Sequence, residues 1–241
     1  MWTDVINLKD FYATSLGQAA QRVISQQLQV LWPDLSGKII LGLGYSTPYL
    51  KLFCSKAERA LSAMPAAQGV TRWPNDNLSL TTLVDEIELP FPDLSIDRIL
   101  LIHALECADN VHPLLREIWR ILSGSGRLMV VVPNRQGLWA HLERTPFGHG
   151  EPYSPTQLSR LLKENLFTPI KTNPALFIPP SHSGMILSST SAWEQLGRRN
   201  FKNFAGVIIT EAEKQIYATG SAINKKQQRS YLPLHEQTPK I

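Results

Sequence analysis

Cysteine is nearly absent: the 241 residues hold two, Cys54 and Cys107. They stand far apart and in no C-x-x-C pair, so neither a zinc site nor a redox couple is suggested, no metal ligand set is expected, and two buried thiols are the plain reading. Long hydrophobic runs are missing too. No stretch reaches the ~20 apolar residues of a membrane-spanning helix, so no membrane partner is expected. The opening run MWTDVINLKDFYATSLG carries acids and lacks the basic-then-apolar layout of a secretory signal, which leads to a cytoplasmic expectation. The phosphate-binding signatures G-x-G-x-x-G and G-x-x-x-x-G-K-[ST] do not occur, and there is no internal repeat.

What is present is a globular mixture, 43% hydrophobic and 18% charged, of a length that suits one domain. The formal net charge is +4, but Lys225, Lys226, Arg229 and Lys240 stand against Glu236 alone near the end of the chain. The body is thus nearly neutral, and a nucleic-acid partner is not expected. We expect one domain over 1–220 and a flexible basic tail over 221–241.

Apolar residues recur at helical spacing over 8–32, ending at Pro33 and Gly37. KIILGLG, from Lys38, is a short, wholly apolar strand of the kind buried on both faces of a parallel sheet, and a helix is expected from Tyr49. RALSAMP, LTTLVDE, Arg98–Ile102 and RLMVVVPN read as further strands. VHPLLREIWRIL reads as a helix whose Leu114, Leu115, Ile118, Ile121 and Leu122 form one stripe, ended by the glycines of SGSG. Such alternation over 38–134 implies a Rossmann-like α/β fold with a mostly parallel sheet flanked by helices, binding its ligand past the carboxyl ends of the strands. Residues 135–184 are irregular at first, then form a helix capped by Ser154 and an extended run. Residues 185–201 look helical, and TEAEK reads as a turn between two strand-forming runs, a closing antiparallel pair.

The strand-to-helix junction ILGLGYSTPYL turns free N–H groups and a helix dipole toward a ligand, which suits a phosphate or a carboxylate. More specific is the run LPFPDLSIDRILLIHALECADNVHPLLREIWRILSGSGRLMVVVPN, residues 89 to 134. Its order of L-P-F-P-D-x-S-x-D, H-x-L-E and R-x-L-x-x-x-G resembles the second half of the class I S-adenosylmethionine-dependent methyltransferases, in the type 11 branch. The resemblance implies a seven-stranded sheet, S-adenosylmethionine as cofactor and a small or medium-sized acceptor molecule.

Carried back, the resemblance lays ILGLGYSTPYL on the family's V-L-D-x-G-x-G-x-G-x-L motif. Gly44 takes the first glycine position, Ser46 the second and Pro48 the third, while Gly42 stands where the family has an acid. Gly42, Gly44, Tyr45, Ser46 and Thr47 are thereby implied to border the cofactor, with Tyr12 closing the same end. No carboxylate follows the second strand, so Gln68 is the stand-in for the family's ribose acid. Asp85 matches the acid that meets the adenine amino group, with Glu86 beside it as second candidate and a helix cap or surface acid as the plain alternative.

His103, just past the fourth strand, is a candidate general base or, alternatively, a structural histidine bonded to Glu106. Trp139, Phe147, His149 and Tyr153 are candidate acceptor residues in a glycine-interrupted aromatic stretch, either a mobile lid or an ordinary surface loop. D/N-P-P-Y/F is absent after the fourth strand, where the chain reads IHALE, which argues against the methylation of base or glutamine amino groups. The altered motifs keep open a second class of function: a methyltransferase-like chain without catalysis that serves as a binding or scaffold subunit for a protein partner.

Overall fold

The structure, a computed structural model, describes residues 2–74 and 78–216; the expected tail lies outside them. Two helices open the chain, α1 (Val5–Ala13) and α2 (Ser15–Leu31), where the periodicity suggested one. Thr14 divides them. Its hydroxyl donates to Phe11 O at 2.7 Å and accepts from Gly17 N at 3.0 Å, so a single side chain closes one helix and caps the next.

Seven strands follow among the described residues: β1 (Ile39–Gly44), β2 (Arg59–Pro65), β3 (Thr81–Val84), β4 (Ile96–Ile102), β5 (Leu122–Pro133), β6 (Phe167–Ala175) and β7 (Val207–Lys214). They form one sheet in the order β3-β2-β1-β4-β5-β7-β6, parallel from β3 to β5, with β7 antiparallel to both β5 and β6. The expected mostly parallel sheet is present, but its antiparallel pair is β6–β7. TEAEK is not a turn; it completes β7. Two of its three charges are satisfied inside the fold: Glu211 accepts from the Trp32 indole N–H and from Arg127, both at 3.0 Å, and Lys214 Nζ donates to Leu122 O at 2.7 Å.

The remaining helices are α3 (Thr47–Leu50), α4 (Val111–Ile121), α5 (Pro155–Glu164), α6 (Gly184–Ser188) and α7 (Thr190–Asn200). Ser154 opens α5 in a full capping box with Gln157. The sheet is covered on both faces, and the alternation of β5 shows it: Met129 and Val131 pack with α1 and α2, while Leu128, Val130 and Val132 pack with the α4 stripe and with Leu158 and Leu162 of α5. Of the two thiols only Cys107 is buried; Cys54 is exposed, because it follows the short α3 on its outer side.

Two clasps hold this core. Arg120 donates to Leu89 O at 2.8 Å and Phe91 O at 2.9 Å, and pairs with Glu117 at 2.8 Å and Asp93 at 2.6 Å, fastening LPFPD to α4. Asp97 accepts from Ile39 N at 3.0 Å, tying β4 to the start of β1.

Candidate functional site

β1 and β4 lie side by side although β2 and β3 intervene in the chain, so the connections leaving them diverge and open a crevice at their carboxyl ends. Gly44 ends β1 with φ +81°, and a Cβ there would lie 2.4 Å from Ile102 O and 2.8 Å from the Ala104 side chain. Only glycine brings the two strand ends this close. On the other side His103 holds a left-handed φ of 52° immediately after β4.

A buried polar chain crosses the crevice. His103 Nε2 lies 2.7 Å from the Tyr12 hydroxyl, which lies 2.8 Å from the Tyr49 hydroxyl, while His103 Nδ1 is 3.5 Å from Glu106 Oε1. Carboxylate, imidazole and two phenols thus come from the β4–α4 connection, α1 and α3. Burial, above all, pushes both phenols up, and both stay protonated at neutral pH. Around the chain, Tyr45 stacks on Tyr12 at 5.8 Å and Phe147 lies 5.0 Å from the His103 ring.

Gln68, in the turn after β2, donates from Nε2 to His103 O at 2.7 Å. Its Oε1 and the second carboxylate oxygen of Glu106, Oε2, are buried and meet no donor among the described residues. Orphaned acceptors of this kind cost roughly 1–3 kcal/mol each, and two beside one crevice mark a place for a ligand that brings hydrogen-bond donors.

Helix α1 covers the crevice: Val5 N donates to Gln68 O at 2.8 Å, and Phe11 and Tyr12 reach down into it. One cavity of about 410 Å³ lies along one side of α1, among Asn7, Asp10, Glu143, Arg144, His149 and His182. Another of about 430 Å³ lies along the other side, among Lys9, Tyr45, Thr47, Lys51 and Arg72.

The structure brings Tyr12, Gly44, Tyr45, His103 and Phe147 together. Ser46 is wholly buried and turned back toward Gly42, where a Cβ would lie 2.0 Å from its Oγ. The two departures from the family motif are therefore complementary: the side chain missing at 42 is replaced in space by the one gained at 46. Thr47 borders the second cavity and His149 the first. Trp139 is buried, donates its indole N–H to Ile178 O at 2.8 Å and backs Phe147. The Tyr153 phenol is half-buried and pushed up to about 12, by burial first and then by Glu151 and Glu106.

Asp85 and Glu86 stand apart, beyond β3. Asp85 is exposed and its carboxylate accepts from Ile87 N at 3.0 Å, the geometry of a turn cap. The stretch read as a lid is held down: Glu151 N donates to Glu106 O at 2.7 Å, and a Cβ on Gly150 would lie 2.2 Å from that oxygen. Helix α1 lies over the same crevice. Phe11 and Tyr49 escaped the sequence reading; the only sign of Tyr49 was its place just after the glycine junction.

Residues 39–130 match the sequence model of a family described as methyltransferase domain, type 11. No curated protein matches the chain. Solved structures with the same fold include an S-adenosylmethionine-dependent methyltransferase from Thermotoga maritima, described as a possible histamine N-methyltransferase: TM-score 0.60, 16% identity, 86% of this chain and 94% of that one. A chain of the complex between the Haloferax volcanii Trm112 methyltransferase activator and a putative methyltransferase gives 0.56 at 19% identity, over 88% and 92%. The 1,6-didemethyltoxoflavin N1-methyltransferase of Burkholderia thailandensis, solved with S-adenosylhomocysteine, gives 0.52 at 15%, over 83% and 78%. The family match runs from β1 into β5, and the fold shared with S-adenosylmethionine-dependent methyltransferases extends over most of the chain.

Proposed function

We propose that the protein is an S-adenosylmethionine-dependent methyltransferase acting on a small or medium-sized acceptor. The orphaned pair Gln68 Oε1 and Glu106 Oε2 carries this reading. The cofactor presents ribose hydroxyls and an ammonium group, donors suited to two buried acceptors, and Gln68 occupies the place after β2 where the family has its ribose acid. Gly44, Tyr45 and Thr47 would border it, and Asp85 with Glu86 would meet the adenine. When bound, the cofactor supplies a methyl group on a positively charged sulfur, transferred by in-line displacement without a protein nucleophile.

The share of the chain is then orientation and exclusion of water, worth roughly 7–11 kcal/mol of the barrier. Glu106 beside Nδ1 keeps a proton on that nitrogen and leaves Nε2 of His103 as the acceptor, a base for an oxygen or nitrogen acceptor that must lose a proton. Tyr12 occupies Nε2 in the covered state, so His103 becomes reachable when α1 lifts. Phe147, His149 and the cavity beside Asp10 and Glu143 form the acceptor side, with Trp139 behind Phe147.

A second reading, a binding subunit without catalysis for a protein partner, is favoured by Ser46 filling the space over Gly42 and by Asp85 capping its own turn. Calorimetric titration with S-adenosylmethionine and S-adenosylhomocysteine separates the two. Micromolar binding of both, weakened about ten-fold in Gln68→Leu, is the expected result. No heat and no thermal shift at millimolar ligand would leave the second reading standing.

A further inference from the structure

Between β6 and β7 the chain makes an excursion. Ala175 of β6 and Pro133, the last residue of β5, both pair with Val207, so residues 176–206 lie at the carboxyl end of β5, the rim that also carries Gly44 and His103. The excursion holds α6, α7 and a short 3-10 turn at Lys202–Phe204. Helix α7 sits on Phe177 along the line of Glu194 and Gly197: a Cβ at 197 would lie 2.2 Å from that ring, and Glu194 accepts from Phe177 N at 2.6 Å. Its flanks differ. One presents Ser191, Gln195 and Arg198 to a cavity shared with Arg22.

The other flank carries Trp193 and Leu196, 36% and 46% exposed. Outward apolar side chains continue along the rim with Met185 on α6 at 82%, Phe201 at 51% and Phe204 at 60%. Leu138, 60% exposed, joins them, because its neighbour Gly137 packs against Ala205. Soluble proteins seldom gather large apolar side chains outward in this way without a partner. The charges interspersed are of one sign. Arg199 and Lys202 are exposed, and the sole acid of residues 182–204, Glu194, is buried.

We propose that this rim is a membrane-docking surface whose occupant is the interface of an anionic bilayer. Trp, Phe, Met and Leu suit the boundary between headgroups and acyl chains, and Arg199 and Lys202 suit lipid phosphates. No helix among the described residues is long and apolar enough to cross a membrane, and a surface-lying mode needs none. A second copy of the chain would set the same cations face to face. The basic residues of 221–241 would do the same. Docked in this way, the rim that holds His103 faces the lipid.

Co-sedimentation of the full chain with vesicles of phosphatidylcholine, with and without phosphatidylglycerol, tests the proposal. The protein is expected to bind the anionic vesicles, and binding is expected to fall about ten-fold in Phe201→Ser/Phe204→Ser and in Arg199→Glu/Lys202→Glu, with thermal unfolding unchanged. Absence of binding by the unaltered chain overturns the proposal, as does binding that survives both variants. A dimer in vesicle-free solution that Phe201→Ser/Phe204→Ser abolishes would assign the rim to a second copy instead.

Discussion

The middle of the rim and its β3 edge are built differently. Past β1 and β4 the crevice holds buried polar side chains bonded across segments: Tyr12 to His103, Gln68 to the His103 backbone, Tyr49 to Tyr12. Past β3 the carboxylate of Asp85 is exposed and bonded two residues along its own chain. Central strands have neighbours on both sides, so whatever follows them is fixed from several directions. β3 has four residues and one neighbour, β2, and the turn after it is held by local bonds alone. A ligand lying along this rim would meet one end organised beforehand and one end ordered on binding, and the second contributes less net affinity.

The sharpest way to break the organised end is to put back a side chain at Gly42. Gly42→Ala places a Cβ 2.0 Å from Ser46 Oγ and 2.7 Å from Leu50, and is expected to cost about 3 kcal/mol in urea unfolding. Adding Ser46→Gly should recover more than half of that loss, a coupling of about 1–3 kcal/mol between neighbours that exchange the same space. Independent, additive effects would show that the two positions do not compensate each other.

Cys107 reports on the same end. Burial, then the neighbouring Glu106, pushes its thiol up to about 12. Cys54 is exposed, and iodoacetamide at pH 8 is expected to label it about a hundred-fold faster than Cys107. The folded value lies above the ordinary 9.0, so the unfolded chain ionises this thiol first. Its contribution to stability is therefore complete below about pH 9 and shrinks as the pH climbs toward 12, and Cys107→Ala should flatten that alkaline slope. Equal labelling of both thiols would mean that the packing over Cys107 is open most of the time.

A smaller effect is expected from Tyr12→Phe, which deprives His103 Nε2 and the Tyr49 hydroxyl of a partner and should cost about 1–2 kcal/mol of stability. If α1 is the cover, the same change tightens S-adenosylmethionine binding in calorimetry, because the covered state that competes with the ligand is weakened. Weaker binding would instead make the Tyr12 hydroxyl a contact of the ligand.

The same contrast explains how far the sequence could be read. The resemblance rested on LPFPDLSIDR and the later arginine, and these residues form the Arg120 and Asp97 clasps, so the matching motif is a signature of the sheet and α4 more than of the crevice. Gly44 and His103 were legible because a strand end is set by local pattern. Tyr49 and Phe11 were not: their burial comes from α1 crossing the rim, as in the Tyr12–His103 bond between residues 91 apart. TEAEK misled for a related reason, since Glu211 finds Trp32 179 residues away. One helix was expected over 8–32 because periodicity ignores what Thr14 does with its hydroxyl.

The smallest structural effect is expected at the open edge, and there the two readings of function part. Asp85→Ala removes an exposed turn cap, and stability should change by no more than about 0.5 kcal/mol. In a methyltransferase whose adenine is held at this edge, affinity for S-adenosylmethionine should still fall by about 1 kcal/mol, the loss of one hydrogen-bond acceptor in a contact formed on binding. A variant equal to the parent in both stability and affinity would show that Asp85 serves its turn alone, and that any adenine contact lies nearer the organised end, where Gln68 and Glu106 hold the unpaired acceptors.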